Sequence, residues 1–467
     1  MKNLTKILIC LMLCVFGFGL VACGDPRTED EKNFTYPSSG DYVYGNGGLA
    51  VRKGNYVYFV NGYKSLENAT DKNASYNIGS LMLMKLDSNG KVVRDDEELV
   101  NDDYYITISN KLCGYEATDL FISGNYLYFA TPCLENESGD ETWAKERVTL
   151  NRIKLDKSSE VEEVYASGVK LENFEYKYYQ SNNKLFILAW EKGESYYAEN
   201  GNNALIRIDV SSNSVKKVSN DVQDVVFAEN ADEVFFSKHE TEDEYYFLKQ
   251  YKVASDTVVD YSSEEKTFDI LDVQNGEVFI TKSHQYGSST DVLSSVIDSK
   301  SAFELVYAYS SADKVSVTTG GNLVLISSNV ITLVRSQDDV VTITDSDATE
   351  INIIDYTNGN ILYYDKTSDG SNIKLVSFTN ALAGDEVEIQ TLTTILAVQE
   401  DAAYFDLNED ENMLYFYTIG GKNETNYYLH RIQVNNNTEN KEEMFGVYES
   451  DDVPEKEEVE EEVEDEE

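Results

Sequence analysis

Eight times along this chain a turn-forming pair leads into a short strand of aliphatic and aromatic residues. No other feature restricts the fold as strongly. The unit reads Gly54-Asn55-Tyr56-Val57-Tyr58-Phe59, Gly124-Asn125-Tyr126-Leu127-Tyr128-Phe129, Asn183-Lys184-Leu185-Phe186-Ile187 and Asp232-Glu233-Val234-Phe235-Phe236. It continues as Asn275-Gly276-Glu277-Val278-Phe279-Ile280, Gly320-Gly321-Asn322-Leu323-Val324-Leu325, Asn358-Gly359-Asn360-Ile361-Leu362-Tyr363 and Asn412-Met413-Leu414-Tyr415-Phe416. The central aliphatics, from Val57 to Leu414, recur about every 51 residues, with wide scatter.

Two further elements accompany the unit. A Leu-x-basic-aliphatic strand follows it at Leu83-Met84-Lys85-Leu86, Leu150-Asn151-Arg152-Ile153, Leu205-Ile206-Arg207-Ile208 and Leu429-His430-Arg431-Ile432. Another strand precedes the turn pair, as in 173–179, 222–227, 268–273 and 402–407. Apolar and polar residues alternate with period two, the signature of strands. Each unit is thus a meander of about four strands. A lone four-stranded sheet cannot bury its faces, so the units must stack. Asn-Gly, Gly-Asn and Gly-Gly supply the positive φ of tight hairpins. The expected fold is all-β, a β-propeller of seven or eight blades, whose edges stay short and protected. Tandem β-sandwiches or a β-solenoid are the alternatives. Helical periodicity is nearly absent.

Composition agrees with strands rather than disorder: 12% of residues are aromatic, with 34 Tyr against 4 Pro. The formal charge of −47 repels nucleic acid and anionic lipid headgroups, so both are excluded as partners.

The N-terminus carries an export signal over 1–22. Lys2 and Lys6 precede an uncharged apolar run from Ile7 to Gly19, too short to span a bilayer. Leu20-Val21-Ala22-Cys23-Gly24 resembles the lipobox of bacterial lipoproteins. The resemblance implies cleavage before Cys23 and a lipid on its thiol, placing the chain on the extracytoplasmic face of the cell membrane. An ordinary signal peptide or short anchor is the alternative. Residues 23–46 read as a flexible tether and 47–448 as the repeat domain. Residues 449–467, with thirteen acids against Lys456, read as a disordered acidic tail.

The Gly-Asn-x-aliphatic-Tyr-Phe and Leu-x-Arg-Ile strands resemble those of propeller-like lipoproteins from low-GC Gram-positive bacteria. These include a family of unknown function likened to the YWTD propeller of receptors. The likeness is one of architecture and brings no catalytic residues with it; the Tyr-Trp-Thr-Asp tetrad is absent.

Material for catalysis is thin. Only His239, His284 and His430 exist, and there is no Gly-x-Ser-x-Gly elbow, phosphate loop or His-Glu-x-x-His. Cys10 and Cys14 leave with the signal. Cys113 and Cys133, flanking one hairpin, are either a disulfide or two free thiols. Asp406, Asn408 and Asp410 alternate as in calcium loops, although Asx capping of the turn is the plainer explanation. No other cofactor is indicated. Trp143, Trp190, Tyr196, Tyr197 and Tyr286 read as loop aromatics, and the loop 134–146 around Trp143 is the first candidate contact surface. The expected function is a non-catalytic, membrane-tethered platform that binds an envelope protein or glycan. A carboxylate-based glycan lyase or hydrolase acting in the propeller channel is the second reading. A subunit acting only within a larger assembly is the third.

Overall fold

The computed structural model describes residues 36–61, 63–64, 81–92, 105–109, 120–132, 148–155, 161–166, 175–191, 202–228, 232–239, 246–261, 268–283, 289–297, 303–357, 359–367, 370–395, 405–420, 426–434 and 443–444. The chain divides into two compact units, Met1–Tyr36 and Pro37–Glu467, and every described strand belongs to the second. The expectations for 1–22, Cys23, Cys113, Cys133, 134–146, Trp143, Tyr196, Tyr197, His284, Tyr286 and 449–467 lie outside the described residues.

Eight antiparallel sheets follow one another along the chain, each built from consecutive strands, and together they form the ring of a β-propeller. Blade 3 shows the plan, running Glu175–Tyr179, Lys184–Glu191, Asn202–Asp209 and Ser214–Ser219. The first strands of consecutive blades contact one another, as Val222–Phe227 does Asp269–Gln274, and so line the axis. Hairpin chemistry is as the sequence suggests: at Asn275-Gly276 both residues have positive φ (50° and 75°). Sandwich and solenoid are both excluded by this topology.

The second strand of each blade explains the repeat. Val57, Leu127, Leu185, Val234, Val278, Leu323, Ile361 and Leu414 sit there, and all eight are 0% exposed. Their neighbours in sequence are buried too, because alternate residues pack against different blades. Leu185 joins an apolar cluster with blade 2, and Phe186 one with blade 4. Val234 faces blade 3 and Phe235 faces blade 5. Ile361 and Leu362 divide likewise between blades 6 and 8. The core is therefore a set of layers between neighbouring sheets. Period-two alternation gives way here to continuous apolar runs, since both faces of the strand are covered.

Tyrosine does double service in these layers. Its ring packs while its hydroxyl reaches the next blade's backbone: Tyr58 Oη donates to Leu155 O (3.4 Å), Tyr179 Oη to Ala228 O (2.5 Å) and Tyr261 Oη to Val296 O (3.2 Å).

Blade 1 departs from the plan. Val43–Tyr44 adds an innermost strand against Ala50–Lys53, so strand pairing begins within the segment expected to be tether. Ring closure involves little strand sharing. Among the described residues, blade 1 lends Tyr63–Lys64 to the edge of Asn426–Gln433 in blade 8. Side chains complete the seam: Arg52 pairs with Glu411, Arg431 Nη2 donates to Gly90 O (2.7 Å), Tyr417 Oη to Val60 O (3.5 Å) and Leu49 N to Asp406 Oδ2 (3.0 Å).

Between blades 6 and 7 lies a buried charge cluster. Lys374 Nζ stands 2.7 Å from Asp345 Oδ2 and 2.5 Å from Asp365 Oδ2, and Tyr363 Oη donates to Asp345 Oδ2 (2.8 Å). Burial acts to raise the Asp345 carboxyl, yet its hydrogen bonds from Lys374 and Tyr363 outweigh that and hold it below its ordinary range. Removing one partner of a buried pair leaves an uncompensated charge. Lys374→Met, which leaves the Asp345 and Asp365 carboxylates without their cation, should therefore lower unfolding free energy by roughly 3 kcal/mol in urea denaturation. Asp339→Asn, which breaks the exposed Arg335–Asp339 pair, should change it by less than about 1 kcal/mol.

Candidate functional site

The first strands bring a set of charged side chains to one level of the axis. Lys177, Asp272, Asp355 and Asp406 each lie two residues before the last paired residue of their strand, in blades 3, 5, 7 and 8. Asp224 of blade 4 lies close to the same position. Lys177 is exposed, and the four carboxylates are partly so.

Local structure explains why aspartate occurs there. Three of these strands carry an irregularity in register ending at the aspartate, between Val222 and Asp224, Ile270 and Asp272, and Ile353 and Asp355. A bulge interrupts ladder pairing. Each carboxylate accepts the N–H of the following residue: Asp224 from Val225 (2.9 Å), Asp272 from Val273 (2.7 Å) and Asp355 from Tyr356 (2.7 Å). A short polar side chain thus satisfies a donor next to the break in the ladder. The signal was present in the sequence as Asp224-Val225, Asp272-Val273, Asp355-Tyr356 and Asp406-Leu407 ahead of the turn pairs. Among so many acids it did not stand out.

Two of these carboxyls titrate far from the ordinary range. Burial pushes Asp355 up to about 6; Glu409 adds to the shift, while the Tyr356 N–H and Lys177 oppose it. Burial likewise pushes Asp406 up to about 6, with Asp355 adding and the Leu49 N–H and Lys177 opposing. Asp224 is raised by burial as well. Tyr356, bonded to Ser316 of blade 6, is raised by burial and by the charges of Asp355 and Asp272. Lys177 of blade 3 thus acts electrostatically on carboxyls of blades 7 and 8. Such an arrangement can exchange protons near neutral pH and hold a ligand through charged hydrogen bonds.

The other candidates are placed as follows. Asp406 engages Leu49 across the seam, and Asn408 caps its turn, donating from Nδ2 to Glu411 Oε2 (2.9 Å) and accepting from Glu411 N (3.3 Å). Asp410 is exposed. No group of three or more His, Cys, Asp or Glu among the described residues could hold a metal ion. His430 is buried, with Nε2 2.8 Å from Thr418 Oγ1 and its ring stacked on Phe416. His239 ends the second strand of blade 4. Trp190, read as a loop aromatic, instead lies in the second strand of blade 3 opposite Asn203, because that strand runs further than its apolar core.

No protein-family model and no curated protein matches the chain. Solved structures do. It is similar to dipeptidyl peptidase 4 of Porphyromonas gingivalis, at 9% identity over 85% of this chain and 58% of that one, with a TM-score of 0.46. It is similar to the β-propeller domain of the Trilobed protease from Pyrococcus furiosus, at 10% identity over 71% and 99%, with a TM-score of 0.40. An oligogalacturonate lyase in complex with manganese is similar at 8% identity over 81% and 92%, with a TM-score of 0.37. At these identities the likeness is one of fold. It does correct one expectation: with peptidases and a lyase among the similar structures, the lack of a catalytic motif no longer supports reading the chain as a non-enzyme.

The raised carboxyls have a consequence for stability. An aspartate near 6 in the folded protein, against an ordinary value of 3.8, keeps protons that the unfolded chain releases between those values. Its contribution to stability is complete below about pH 4 and is lost as pH rises through 6. Carboxyl-carbon NMR should show two aspartates titrating near pH 6, and Asp355→Asn should flatten the fall in melting temperature across that window.

Proposed function

We propose that this chain is a lipoprotein held by Cys23 to the extracytoplasmic face of a bacterial membrane, whose propeller binds an envelope protein or glycan at its axis. The observation supporting the binding site is that Lys177, Asp355 and Asp406 hold matching positions on first strands and that Lys177 acts electrostatically on both carboxyls. Those charges lie on rigid strands, which suits a preorganised site. The lipobox sequence supports the address, and multiple acyl chains on Cys23 would hold it firmly.

A second reading is favoured by the two carboxyls near 6. Glycoside cleavage by paired carboxyls needs one protonated and one ionised group at working pH. Asp355 and Asp406 both lie near 6, so around that pH one can hold a proton while the other is ionised, and a glycan hydrolase or lyase acting at the axis is the alternative.

Three experiments test these readings. Cys23→Ala should move the protein from the membrane fraction to the culture medium and abolish fatty-acid labelling; retention in the membrane overturns the anchor. Envelope extract passed over immobilised protein should yield a partner or glycan that is lost with the double variant Lys177→Ala/Asp355→Asn. Capture that survives the double variant removes the axial site. Turnover of a polysaccharide panel, reduced at least about 100-fold by Asp355→Asn or Asp406→Asn, decides for the enzyme.

A further inference from the structure

The third strand of blade 8, Asn426–Gln433, shares its outer edge between two pieces of the chain. Tyr63–Lys64 of blade 1 pairs with Asn426 and Tyr427, and Glu443–Met444 pairs with His430 and Arg431. The corresponding outer strand of blade 7 is a single run, Ile389–Ile395. Blades 1 to 8 follow one another along the chain, so the seam between blades 8 and 1 is the one joint that no connecting segment spans.

Two backbone pairs hold a strand weakly, so side chains must carry the joint. Arg431 is 1% exposed, and its Nε and Nη2 lie 2.8 and 2.7 Å from Glu443 Oε2. Nη2 also donates to Gly90 O (2.7 Å), while Glu443 Oε1 accepts the Val92 N–H (3.3 Å). Gly90 and Val92 lie beyond Leu81–Lys85, the third strand of blade 1. One ion pair thus ties together the third strand of blade 8, the segment 443–444 and blade 1. Tyr415 bonds Arg431 as well, but burial holds its phenol above the ordinary range and so neutral, which leaves Glu443 to supply the counter-charge. A guanidinium enclosed this fully depends on that carboxylate.

We propose that Glu443–Met444 is the clasp of the ring: seated on Arg431 it closes the seam between blades 8 and 1, and its release opens that seam. Arg52–Glu411, Tyr417–Val60 and Leu49–Asp406 each link the two blades directly, whereas the clasp is a separate segment gripped by both. The clasp also bears on the axis. Asp406 of blade 8 meets Leu49 of blade 1 across the same seam, so a closed clasp keeps this axial carboxylate in place. It does so whatever the axis binds.

Hydrogen exchange of the full chain, read by mass spectrometry, tests the clasp. Glu443→Gln leaves Arg431 enclosed without its counter-charge, and Met444→Pro removes a backbone donor from the two-residue strand. In each variant, peptides covering 81–92 and 426–434 should open at least about tenfold more often than in the unaltered protein. Peptides covering 233–239 and 246–252 of blade 4 should change less than about twofold. This local rise sets the clasp apart from a general loss of stability. Seam peptides that exchange as before in either variant overturn it, as does an equal rise in blade 4.

Discussion

A β-sheet of four strands has two faces and cannot leave either in water. That constraint organises the molecule. Each blade covers both faces with its neighbours, so the second strand, deepest in the layers, carries a continuous apolar run through its middle. Leu323 packs toward blade 5 and Val324 toward blade 7 within a single residue step. Repeating this solution leads to a closed ring, since an open row would expose a face at each end.

Much of the fold was legible because the deepest strand carries the densest signal. The eight aliphatics picked out by their distance from a turn pair are each fully buried in the second strand of a blade. They bounded the blade number at seven or eight, and the structure has eight. The inner strands were located to within a few residues, yet their meaning was hidden. Asp272 and Asp355 look like any two of 85 acids until the break in register beside each is known. Ring closure was equally invisible. Contacts such as Leu49 with Asp406 join residues over 350 positions apart, and no local pattern announces them.

The axis is the place where packing and chemistry compete. Near it the blades converge, large apolar residues become hard to fit, and strand ends need polar partners for unpaired amides. Aspartates meet that need and, once enclosed, resist ionisation. A structural requirement has in this way assembled a group of carboxyls with altered acidity beside Lys177. The raised pKa values of the axial carboxyls originate in this one feature.

The tyrosine hydroxyls that cross between blades have a different consequence. A phenol has fixed length, so a ring rooted in one sheet and tied to a carbonyl of the next sets the gap between them. Tyr58, Tyr179, Tyr261 and Tyr417 act as spacers of this kind. Phenylalanine would fill the same volume without specifying the separation. In a propeller whose repeats vary this much in sequence, several layers are thus gauged by rigid rods of one length.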